Sequence, residues 1–144
     1  MSHFRYQTLL RIKEQEQVRA KEEYQQSLEQ FEQMAWKLYD SLQKKEMLLN
    51  HSMQKLDKGL PIQELKSQQQ FLDNLEQTIS HYQKLVSIYR TNMNQKHQKV
   101  TEKTIDVKKF QKMKENVENK KRLEMSLQEM KSLDELANLS FVRN

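Results

Sequence analysis

The chain has 144 residues, of which 31% are charged and 35% hydrophobic, with one glycine, one proline and no cysteine. A mean hydropathy of −1.03 leaves no run of roughly 18 apolar residues for a membrane span. It also leaves no disulfide framework or thiolate metal site, and a single glycine cannot build a phosphate-cradling loop.

Gln, Lys, Glu, Leu and Met dominate and are strong helix formers. The opening Met1-Ser2-His3-Phe4-Arg5 lacks the apolar core of a signal peptide, and the missing cysteines fit a reducing cytoplasm. Any work near a membrane is then expected to depend on a partner.

The first predicted helix runs from about residue 3 to 58, with nothing inside it to break a helix. Its apolar residues settle into alternating steps of three and four: Leu28, Phe31, Ala35, Leu38, Leu42, Lys45, Leu49, Ser52 and Leu56. That is about four heptads of coiled-coil seam. Backwards, the same phase gives Leu10, Glu14, Gln17, Lys21 and Tyr24, a more polar and therefore looser end. At about 1.5 Å per residue the arm would be roughly 80 Å long. Trp36, Met47 and Leu48 fall off this seam. An outward tryptophan has little of its own chain to pack on, so Trp36 and Leu48 are candidate partner-facing residues, scattered surface apolars being the plainer alternative.

Residues 58–61, Lys-Gly-Leu-Pro, make the bend. Gly59 suits the left-handed residue that closes a helix, and Pro61 suits the first turn of the next. Lys55 and Lys58 complement the negative end of the first helix, and Glu64 the positive start of the second.

The second predicted helix, about 62–138, carries a clearer seam: Leu65, Gln68, Leu72, Leu75, Ile79, Tyr82, Val86, Tyr89, Met93, Lys96, Val100, Lys103, Val107 and Phe110. The three-residue loop makes the two arms antiparallel neighbours. Two registers, one heptad apart, satisfy both seams. One sets Phe31 against Val86, centres on Gly59, and faces Glu14 with Lys103 but Lys21 with Lys96. The other sets Phe31 against Met93. Beyond Val117 the apolar phase slips by one residue, through Leu123, Leu127, Met130 and Ala137, and residues 118–144 outlast the first arm. The expected fold is all-α: one long antiparallel two-helix coiled-coil hairpin spanning 1–144, its second helix overhanging the first and its tail partly unpaired.

Charge is uneven. Residues 1–36 hold five Arg/Lys against six Glu, whereas residues 96–122 hold ten Lys/Arg against four acids. A basic run points to nucleic acid or an acidic partner. It is equally explained if acidic residues 14–32 lie beside basic residues near 96–114 in the hairpin.

The stretch Gly59-Leu-Pro-Ile-Gln-Glu-Leu-Lys-Ser-Gln-Gln-Gln-Phe71-Leu-Asp-Asn-Leu75-Glu-Gln-Thr78-Ile79 resembles the FliJ family of flagellar type III export proteins, in the form found in Bacillus and its relatives. The glycine-bearing bend, Gln69-Gln70-Phe71, Leu75 and Ile79 carry the resemblance. Length, hairpin organisation, lack of cysteine and basic character extend it along nearly the whole chain. It implies a cytoplasmic coiled coil, peripheral at the membrane beneath the flagellar basal body. Such a protein looks like the central stalk of rotary ATPases, with helix ends near its termini inserted into a hexameric export ATPase ring. The implied partners also include the cytoplasmic domain of the export-gate protein FlhA and the export chaperones. The family's gate-contacting stripe maps to Phe71, Leu75, Thr78 and Tyr82. Thr78 stands where a smaller residue is found elsewhere, and Tyr82 where a histidine is found. Leu75 and Tyr82 are also seam positions, so Phe71 and Thr78 are the better surface candidates.

No catalytic, cofactor-binding or metal-binding set emerges. His3, His51, His81 and His97 include no pair at i, i+4 spacing, and no nucleophile has its base. An enzyme is not expected. The alternatives to an export stalk are a basic helical nucleic-acid binder, or another coiled-coil adaptor or chaperone of a related secretion system.

Overall fold

A computed structural model describes residues 2–143, with side chains from Arg5 to Val142. Its elements are α1 (Ser2–Lys58) and α2 (Ile62–Arg143). The absence of glycine and proline inside either helix leaves nothing to interrupt the backbone ladder. Gly59 turns the chain with φ 81°, a left-handed conformation that side chains disfavour, and its N–H donates to the Leu56 carbonyl at 3.3 Å. Lys55 and Lys58 lie in the last turn of α1 and Glu64 in the first turn of α2, each favourable to its helix dipole.

The chain forms two compact units. One is Ala20–Val100, a hairpin closed by the bend. Its α2 seam follows the sequence spacing: Leu75, Ile79 and Val86 are buried, and Leu72, Tyr82, Tyr89 and Met93 half-buried. The α1 seam follows it in part, with Leu28 and Ala35 half-buried as expected. Phe31, Leu38, Lys45 and Ser52 turn inward as expected, but Leu42, Leu49 and Leu56 are 43%, 41% and 55% exposed. Residues one place earlier also turn inward: Ser27 and Ser41 are buried, Met34 and Leu48 half-buried.

Hydrophobicity favours the leucines, yet close approach of two helices favours the smaller side chain. Burying the serines costs little because each hydroxyl donates to its own helix, Ser27 to the Tyr24 carbonyl at 2.7 Å and Ser41 to the Lys37 carbonyl at 2.9 Å.

The register lies between the two expected ones, about half a heptad from each. Arg90 sits over the Phe31 ring at 5.5 Å, Tyr24 meets His97 edge-on at 5.3 Å, and Ser52 donates to Gln68 at 3.0 Å. The hairpin thus folds about Leu60, the middle of the three residues between the helices, and not about Gly59. The charges gain from the difference. Lys96 faces no lysine; it and Lys99 both reach Glu23, at 3.5 and 3.4 Å.

The other unit joins the start of α1, up to Arg19, to α2 from Thr101 onward. Among the described residues Leu10 and Val107 are its buried apolar side chains, and the seam around them mixes half-buried Phe110 and Val117 with polar contacts. Gln17 donates to the Thr104 hydroxyl at 3.0 Å, Lys103 pairs with Glu16 at 3.2 Å, and the Lys13 ammonium lies 5.8 Å from the Phe110 ring centre. Glu14, expected to face Lys103, is exposed. From Asn119 to Val142 every side chain is exposed, and α2 continues to Arg143, past the expected end near 138.

Glu16 and Glu23 are held below the usual carboxylate range. For Glu16 the chief cause is the hydrogen bond from Lys103; for Glu23 it is the charge of Lys99, then of Lys96. A depressed folded-state pKa gives stability that is present above the unfolded value and lost as pH falls through the folded one. The melting temperature is therefore expected to drop on acidification through and below the ordinary carboxylate range. The double variant Glu16→Gln, Glu23→Gln should show a shallower drop in a pH series of thermal melts. Because both groups are solvent-accessible, the change should be modest and reduced by salt.

Candidate functional site

Phe71, Leu75, Thr78 and Tyr82 fall at steps of four, three and four, which keeps them on one side of α2. The structure divides them by depth. Leu75 is buried in the seam and Tyr82 half-buried, its ring 5.8 Å from that of His81. Phe71 is 56% exposed, and Thr78 is exposed with its hydroxyl bonded to the Asn74 carbonyl at 3.1 Å. The stripe is an edge: two residues anchor it in the hairpin, and two stand at the rim. Leu85, seven residues after Thr78 and half-buried, continues this edge. The heptad recurrence from Phe71 through Thr78 to Leu85 is the signal that would have found it.

Trp36 is 68% exposed and packs edge-on against Tyr39 at 5.7 Å. The Tyr39 hydroxyl accepts a hydrogen bond from the Gln43 side chain at 2.7 Å, which fixes this outward aromatic pair. Leu48 is different. The expectation that it lies off the seam is corrected: it is half-buried and, with Leu49, Ser52, Leu65 and Leu72, lines a groove of about 150 Å³ near the bend. The one-residue shift of the α1 seam is the reason, since Leu48 occupies the place foreseen for Leu49.

Part of the basic run is spent inside the protein. Lys96, Lys99 and Lys103 pair with Glu23 and Glu16, which places acidic α1 beside basic α2 as the hairpin reading foresaw. Lys108, Lys109 and Lys112 are exposed. Among the described residues no three of His, Cys, Asp and Glu come together to hold a metal ion, and His3 lies outside the described side chains. No helix is long and apolar enough to cross a membrane.

Two antiparallel helices joined along a seam of large apolar and small side chains define an all-helical coiled-coil protein. The family model described as Flagellar FliJ protein matches residues 1–144. The Flagellar FliJ protein of Bacillus subtilis (strain 168) is 46% identical over 139 residues, covering 96% of this chain and 95% of that protein. The chain belongs to the flagellar FliJ family. No solved structure matches it.

Proposed function

We propose that this chain is a non-enzymatic, stalk-like component of the flagellar protein export apparatus. It couples the export ATPase ring to the export gate through protein contacts and assists delivery of substrates by export chaperones. It works in the cytoplasm, held at the membrane only through its partners. The observation that carries the reading is the Phe71–Thr78 rim. A large aromatic is displayed on a helix face whose neighbours Leu75 and Ile79 lock it to α1, so docking costs little ordering entropy. In this reading the rim meets the cytoplasmic domain of the gate protein FlhA, with Leu75 and Tyr82 as its support. Trp36 offers a separate contact, and the terminal part of α2 faces the ring.

Phe71→Glu is expected to weaken capture of the gate's cytoplasmic domain by about tenfold or more, as loss of an exposed aromatic anchor does. Helicity by circular dichroism should be unchanged, because the side chain is not part of the seam. Undiminished capture would remove the rim from the gate contact. A Trp36→Ala control that also abolishes capture would move the contact to α1.

A further inference from the structure

The exposed end of α2 carries an apolar face that its own chain cannot cover. Leu123, Leu127, Met130, Leu133 and Ala137 lie within about 120° of the helix circumference, and the four large ones are 58–65% exposed. Sixteen residues separate Val107, buried against α1, from Leu123. At about 100° per residue this rotates Leu123 by roughly 160° from the side that packs on α1. The one-residue slip foreseen from the spacing is therefore a change of side: the new face looks away from α1, and a longer α1 would not reach it.

Charge along this segment is polarised. Lys120, Lys121 and Arg122 outweigh Glu124 at the start of the apolar face, while Glu129, Asp134 and Glu135 outweigh Lys131 in its second half. A helix that is basic at one end and acidic at the other is complementary to itself run backwards.

We propose that this face is a self-association surface, on which the end of α2 pairs antiparallel with the same segment of a second copy of the chain. An antiparallel two-fold contact is self-complementary, so every favourable pair occurs twice. Setting Leu123 level with Leu133 of the second copy brings Met130 beside Ser126 and leaves Ala137 beyond them. The same arrangement brings Lys120 within two residues of level with Asp134, on the same flank of the pair. That is the same two-residue offset from level across which Lys99 reaches Glu23 in the hairpin itself. Because the face points away from α1, the first arms of the two copies stay on opposite sides of the new pair.

The contact is small and half polar, so it forms a concentration-dependent, salt-sensitive dimer and not an obligate one. An unpartnered helix of this length is marginal in water, and pairing gives it a reason to stay helical. The inference concerns copies of this chain free of the ring, competes with the ring contact proposed for the same segment, and does not rest on the export-gate reading.

Sedimentation equilibrium on the full chain, over a concentration series at low and high salt, tests it. The expected result is a monomer–dimer equilibrium weakened by salt. Met130→Glu should abolish it while leaving helicity and thermal unfolding of the hairpin unchanged, since Met130 is 61% exposed. Lys120→Glu and Asp134→Lys should each weaken association, and mixing the two variants should restore it as a heterodimer. A mass that stays monomeric throughout overturns the proposal. So does a dimer indifferent to Met130→Glu, which would place association elsewhere, or a mixture no stronger than its parts.

Discussion

Replacing Ile79 with alanine is expected to lower the free energy of unfolding by about 2–4 kcal/mol, the range for truncating a buried branched side chain. Ile79 is 6% exposed at the heart of the Ala20–Val100 hairpin. The register set by Ser52 with Gln68 and Glu23 with Lys96 brings it level with Ser41, which is buried. Serine is too small to move into the space left behind, and its hydroxyl is committed to the Lys37 carbonyl. The void would therefore persist, and its lining would lose dispersion contacts. Ile88→Ala on the same helix is the control: that residue is 63% exposed, and its loss should change stability by no more than about 0.5 kcal/mol. Urea titrations followed by circular dichroism distinguish the two. Equal effects at both positions would mean that the seam does not run where Ile79 and Ser41 place it.

The two helices differ in how far their packing could be read in advance, and the difference has a physical source. Along α2, the seam positions from Leu72 to Met93 are apolar or aromatic at each step, so the spacing admits one phase. Along α1, two phases compete. Leu28, Ala35, Leu42 and Leu49 spell one, and Ser27, Met34, Ser41 and Leu48 the other, one residue earlier. Counting hydrophobicity selects the first. Packing against Ile79 and Met93 brings in the second, because those large side chains are accommodated by the small Ser41 and Ser27. That choice depends on pairs of residues far apart in sequence, so no pattern within α1 reveals it. The register error follows from the same cause, and so does the misplacing of Leu48.

The surface was more legible. Phe71 and Thr78 stand at the rim where their step from the seam puts them, and Trp36 points outward. What the spacing concealed is depth: Leu75 shares a stripe with Phe71 yet belongs to the seam. Charge was legible in kind but not in pairing. Acidic α1 does lie beside basic α2, and the half-heptad shift decides that Glu23, not Lys21, meets Lys96. Misplaced registers predict like-charge contacts; the true one removes them, which is how electrostatics reinforces a register that packing selects.

Val107→Asp is expected to open the unit formed by the start of α1 and the stretch of α2 after Thr101. Val107 is 5% exposed, and among the described residues Leu10 is the other buried apolar side chain of that unit. Contacts around it include Gln17 with Thr104, Glu16 with Lys103 and Lys13 over Phe110, all partly solvated. Partly exposed polar pairs of this kind contribute roughly 0–1 kcal/mol each. A carboxylate placed in the seam must either stay there unpaired or drag the helices apart to reach water, at about 2–4 kcal/mol. The polar pairs cannot offset that, so the local unit should open before the hairpin does. Hydrogen exchange resolved by residue gives the measurement. Amides between residues 5 and 19 should lose most of their protection, while those of Leu75, Ile79 and Val86 keep theirs. If protection at Ile79 collapses in step with that near Leu10, the two units unfold as one, and the polar seam is as strong as the apolar one.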